Sequence, residues 1–217
     1  MREDSLAAGA RTTLLDLFSK GQMLQTNTAG GVPSVLESLR AATRSRHGNL
    51  ESCREMVRLF DSDYSLPEYR AHLGRLLGFF EPLEQCVSQL AGPSDLACTL
   101  ERARDLRADL MEMGATTTEI NALERCRRLP QITCQGLPGY LYVVLGSSLG
   151  AKVIVKQLRD KLGPGVSLRF YGDANGRYAT LWSVFLRSLE DDGRSNIQAI
   201  CSTASEIFDA YEAWLCR

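Results

Sequence analysis

Two histidines, His47 and His72, are the only imidazoles in the chain. One stretch, YVVLGSSLGAKV at residues 142–153, has two incompatible chemical readings. Read as strand, turn and helix, GSSLG is a G-x-S-x-G nucleophile elbow with Ser148 at its tip, and the chemistry is hydrolysis. Read as one helix, the stretch carries Gly146 and Gly150 four residues apart on one face. Each interior Gly costs roughly 0.5–1 kcal/mol relative to Ala, so a pair on one face implies a compensating gain. Close packing of a second helix is the ordinary gain; the approach of a flat ligand to bare backbone is the other. The elbow also needs a His after the nucleophile, and both histidines precede Ser148.

The elements around these residues read as helices. Ser34-Val-Leu-Glu37 forms a capping box, and Leu36, Leu39, Thr43, His47 and Leu50 follow at helical steps. Ser65-Leu-Pro-Glu68 is a second box, and Pro82 is expected to kink or break its helix. Further helices are expected from Leu96 to Met113, near 117–128, from 139 to 162, from Tyr178 to Leu189, and from a cap at Ser195 through Leu215. Residues 166–177 read as a loop, with turn signals at Gly172 and Asn175-Gly176. Residues 1–33 read as an N-terminal arm. Without alternating strands, the expectation is an all-α single domain over 34–217.

Composition narrows the function. A net charge of −1 gives no electrostatic footprint for nucleic acid or acidic membrane. No apolar run reaches membrane-spanning length, and the start lacks a signal-peptide core. Seven scattered cysteines without a C-x-x-C pair favour reduced thiols and a cytoplasmic setting. His47 on an apolar face is ordinarily a hydrogen-bonded core residue. No E-x-x-H pair accompanies it, which excludes the usual zinc and di-iron sites. A heme, however, asks the protein for one axial His on its proximal side.

Four segments in order resemble the heme oxygenase family, in particular its bacterial, phytochrome-associated branch: LRAATRSRHGNLE (39–51), YRAHLGRLLGFFEPLE (69–84), LYVVLGSSLGAKVI (141–154) and RFYGDANGRYATLWSVF (169–185). The resemblance implies a fold in which heme lies between a proximal helix, 34–50, and a distal helix, 139–162. By it, His47 is the iron ligand, and Gly146 and Gly150 are the distal glycines over which the helix bends. Arg40, Arg44 and Tyr142 meet the propionates. Ser147 stands where mammalian members carry an Asp that organises water. Leu145 replaces a Glu of the phytochrome-associated branch, and Ala151 the second of a Gly-Gly pair. Two basic propionate contacts fall on Ala179 and Ser183, which leaves Arg177 as a substitute. His72 matches no ligand position and reads as structural.

The implied activity is cleavage of heme, both substrate and cofactor, with O2 and electrons to biliverdin, CO and ferrous iron. The chain has no dinucleotide fingerprint and no iron–sulfur motif. Electrons therefore come from an external reductase or ferredoxin, and a bacteriophytochrome is the implied acceptor of biliverdin. The departures at Leu145, Ala151, Ala179 and Ser183 motivate the alternative, a non-catalytic heme-binding or heme-sensing protein on the same fold.

Overall fold

Helix α1 (Val35–Ser52) starts where Ser34 and Glu37 close their box. The Glu37 N–H donates to Ser34 Oγ at 3.1 Å, and the Ser34 N–H donates to Glu37 Oε2 at 2.9 Å. The next two N–H groups, of Val35 and Leu36, donate to the Glu190 carboxylate at 3.3 and 3.2 Å. Glu190 belongs to α9 (Arg177–Asp192), so a distant carboxylate meets the positive end of α1 and ties the two helices together. The computed structural model describes residues 33–92, 95–172 and 176–217, with the side chains of residues 191 and 192 excepted. The arm expected over 1–33, apart from Pro33, and the Asn175 turn signal lie outside the described residues.

After the single turn α2 (Arg54–Arg58), α3 (Leu66–Ser88) continues through Pro82 instead of breaking there. Proline has no N–H for the Gly78 carbonyl one turn earlier. That carbonyl accepts from the Cys126 N–H at 2.8 Å, so the bond lost inside the helix is replaced from outside it. The Glu84 carboxylate of α3 accepts the first N–H groups of α4 (Arg102–Glu112), from Arg102 at 2.8 Å and Ala103 at 3.3 Å. Helix α5 is shorter than the expected 117–128 and spans Thr117–Ala122. The Arg125 guanidinium takes its closing carbonyls, Ile120 at 3.2 Å and Leu123 at 2.6 Å.

The helix expected over 139–162 is two helices. α6 (Leu137–Leu149) and α7 (Ala151–Leu162) meet at Gly150 with a bend of 42°. The expected loop 166–177 contains a short helix, α8 (Arg169–Gly172). Its N-terminus is held by the buried Asp109 carboxylate, which accepts from the Arg169 N–H at 2.8 Å, the Phe170 N–H at 3.0 Å and Ser167 Oγ at 2.6 Å. Helix α10 (Ile197–Leu215) is not capped by Ser195. A 3₁₀ turn, Arg194–Asn196, feeds it, and Asn196 is the cap position.

Helix α10 packs along α1 and α6, α3 along α4, and α9 against α6. Its stripe Ile200, Ala204, Ile207, Tyr211 and Leu215 is buried, each large side chain stabilising by about 1.5–3 kcal/mol. Two glycines set the α6–α10 contact. A Cβ on Gly139 would lie 2.3 Å from the Ile200 carbonyl, and one on Gly136 would lie 2.2 Å from Thr203 Oγ1. The described residues contain no strand, and the fold is all-α. No single helix among them is long and apolar enough to cross a membrane.

Candidate functional site

A cavity of about 250 Å³ has walls drawn from α1, from both sides of the α6–α7 bend, and from α3, α8 and α10. Most of its surface is apolar, with Leu50, Phe79, Phe80, Val143, Ile207 and Phe208 among the contributors. A few polar groups converge on it, as in small-molecule sites generally.

From α1 come Arg40, His47 and Glu51. The His47 ring is 25% exposed and stands edge-on to Phe208, with centroids 5.6 Å apart. Its Nδ1 lies 3.5 Å from Glu51 Oε2, one helical turn on, while Glu51 Oε1 is buried without a protein hydrogen-bond partner. A carboxylate beside Nδ1 orients the ring; coordination through Nε2 is the usual complement in a metal-binding imidazole. Among the described residues no three His, Cys, Asp or Glu side chains cluster into a cage for a metal ion.

Gly146, Ser147 and Gly150 line the cavity from the bend. Their environment separates the two meanings of a helical glycine. A Cβ on Gly146 would meet only the Trp182 ring, at 3.7 and 3.9 Å, which is ordinary contact. Helix packing therefore does not require this glycine, in contrast to Gly136 and Gly139. Bare backbone at Gly146 faces cavity space. Ser147 Oγ donates to the Val144 carbonyl at 2.8 Å, so its lone pairs are what it offers the cavity. Tyr142 also lines the wall. Thr43 Oγ1 donates to the Leu39 carbonyl at 2.8 Å, so the Tyr142 hydroxyl, 3.3 Å away, donates to Thr43 and fastens α6 to α1.

The model for heme oxygenase matches residues 34–217. The chain belongs to the heme oxygenase family. No significant match exists among curated proteins or among solved structures. Heme oxygenases bind and degrade heme, and the residues present fit that group: one buttressed imidazole on α1, a glycine whose missing side chain serves no protein neighbour, and apolar walls between.

Arg40 lines the cavity, whereas Arg44 and Arg177 are not among its wall residues. Arg177 is held by the Glu101 carboxylate and the Thr99 carbonyl, which commits its guanidinium to the start of α4. Several wall residues were not legible in the sequence. Lys152 adds a cation beside the bend. Arg102 is 1% exposed and lies over the Phe170 and Tyr178 rings, at 3.9 and 4.5 Å. Its NH1 donates to the Phe170 carbonyl at 2.9 Å, and its Nε has no protein partner. Tyr171 lines the wall and bonds through its hydroxyl to His72. An Arg one step off an apolar seam reads as a solvated residue, so no periodicity argument finds Arg102.

Proposed function

We propose that the chain is a catalytic heme oxygenase that converts heme, O2 and electrons to biliverdin, CO and ferrous iron. The observation that carries this reading is Gly146. Its bare backbone lines the cavity wall and is not used to pack any neighbouring helix. Such an opening leaves O2 room beside a bound heme.

In this reading His47 coordinates the iron, and the Glu51 carboxylate 3.5 Å from Nδ1 keeps the ring oriented. Arg40 and Lys152 receive the propionates, with Tyr142 bracing the wall between α1 and α6. Arg44 and Arg177 take no part. When bound, heme supplies the iron that activates O2 and the macrocycle that is opened. The close backbone at Gly146 and Gly150 limits where a diatomic molecule fits, which orients it toward one edge of the ring. Ser147 offers acceptor lone pairs that hold ordered water beside this face. The apolar walls exclude bulk solvent and strengthen each polar contact inside. Electrons come from a separate reductase or ferredoxin, biliverdin passes to an acceptor such as a bacteriophytochrome, and the setting is the cytoplasm.

The test is a hemin titration followed by addition of reductant and O2, with the absorption spectrum recorded throughout. The expected result is one hemin bound per chain and replacement of the Soret band by biliverdin absorption. His47→Ala should lose the six-coordinate ferric spectrum, and His72→Ala should keep it. Tight hemin binding with a stable Soret band under reductant and O2 would establish the non-catalytic heme-binding alternative instead.

A further inference from the structure

His72 is 0% exposed, and both its ring nitrogens have polar partners. Nδ1 lies 3.1 Å from Glu55 Oε1, and Nε2 lies 2.7 Å from the Tyr171 hydroxyl. The His72 and Tyr171 rings are within 7° of parallel, with centroids 6.1 Å apart. At the inner end, Tyr171 is part of the cavity wall. At the outer end, the Glu55 side chain is 25% exposed and lies 3.5 Å from Arg75. Three groups, each able to accept and release a proton, therefore join the cavity wall to a carboxylate that touches solvent.

We propose that Glu55, His72 and Tyr171 form a proton conduit from the surface into the heme cavity. The inference rests on the reading of that cavity as a catalytic heme site, because reduction of O2 consumes protons. In the loaded state one proton is shared between Glu55 and His72 Nδ1, a second sits on Nε2, and a third is on the Tyr171 oxygen. Tyr171 gives its O–H proton to an acceptor in the cavity and takes the Nε2 proton in the same movement. The shared proton stays on Nδ1, which leaves Glu55 ionised and the imidazole neutral. Water then reprotonates Glu55, and the imidazole changes tautomer to restore the Nε2 proton. One proton enters at Glu55 for each one delivered, and no electrons move.

The surroundings set the resting charges. Arg75 and Arg54 flank Glu55, and together with the His72 bond, the largest influence, they hold its carboxyl below the usual range. Burial, with Tyr211, Tyr69 and Tyr64 nearby, pushes the Tyr171 hydroxyl well above its usual range, against the opposing charge of Arg102. Tyr171 therefore stays neutral and passes protons without storing charge. Asp109 also approaches α8, but its carboxylate is occupied by the α8 backbone.

With two histidines in the chain, nitrogen-15 imidazole spectra can be assigned by substitution. The first measurement is the exchange of the His72 ring proton with water in the heme-free full chain. Glu55→Gln keeps a hydrogen-bonding partner for Nδ1 but removes the ionisable entrance, and it should slow exchange by about 10²-fold. Glu55→Asp should recover part of the rate. The second measurement uses hemin-saturated, reduced protein mixed with O2 in H2O and D2O. Glu55→Gln and Tyr171→Phe should both slow heme decay and enlarge its solvent isotope effect. Unchanged exchange in Glu55→Gln, or unchanged decay and isotope effect in both variants, would overturn the conduit and leave His72 a structural residue. If the wild-type protein binds hemin without degrading it, the catalytic reading has failed by itself, and the exchange measurement alone decides the conduit.

Discussion

At the scale of the residue, the basic side chains illustrate how one chemical type divides into separate roles. Arg40, Arg44 and Arg177 are equally plausible anion partners by charge alone. Arg40 lines the cavity, while Arg177 is spent on Glu101 and the Thr99 carbonyl. A charge-assisted contact contributes about 1.5–3 kcal/mol, so Arg40→Ala should weaken hemin binding by about tenfold or more in a Soret titration. Arg44→Ala should leave the same titration unchanged. Arg177→Ala should also leave hemin affinity in place and instead lower thermal stability by up to about 1 kcal/mol, as expected for a half-exposed ion pair. Loss of hemin affinity in Arg177→Ala would relocate the propionates toward α9.

At the scale of the element, the glycines of one segment do opposite work. Gly139 lets α6 touch the backbone of α10; Gly146, two turns later, leaves space at the cavity. Gly139→Ala forces a methyl group against the Ile200 carbonyl, and backbone cannot move aside cheaply. Heme-free stability in urea should fall by about 1–3 kcal/mol. Gly146→Ala meets only the Trp182 ring at ordinary distance. Helix propensity and a stiffer unfolded chain should raise heme-free stability by about 0.5–1 kcal/mol, while heme degradation declines. Equal destabilisation by the two substitutions would return Gly146 to the class of packing glycines.

At the scale of the whole molecule, buried carboxylates hold helix ends together across long stretches of chain, and one of them makes stability depend on pH. Glu84 joins α3 to α4 by accepting two backbone N–H groups. Burial nevertheless pushes its carboxyl from 4.5 up to about 7, the two amide bonds and Arg102 offsetting only part of the cost. The folded state therefore binds this proton more tightly than the unfolded chain. The associated stability is fully present below pH 4.5 and is lost as pH rises through about 7. Chemical denaturation at successive pH values should show wild type losing about 2 kcal/mol relative to Glu84→Gln across that window. A constant difference between the two proteins would mean that Glu84 is ionised in the fold.

The sequence by itself determined the helical class and most helix starts. The starts are local: Ser34 with Glu37, and Ser65 with Glu68, reach one another within four residues, so their bonds do not depend on the rest of the fold. The pairing of the His47 face with the Gly146 face was legible because helical spacing and family-like segments both lie along the chain. What only the tertiary structure decided depends on partners far away in sequence. Pro82 stays inside α3 because Cys126 replaces its missing donor, and α8 exists because Asp109 caps it. Gly136 and Gly139, not Gly146, are the packing glycines because α10 crosses there. His72 reads as structural because it matches no ligand position of the family; the fold sets its ring 3.1 Å from Glu55 and 2.7 Å from Tyr171, partners that no spacing along the chain announces. Periodicity specifies which side of a helix is buried, and only packing specifies what that side meets.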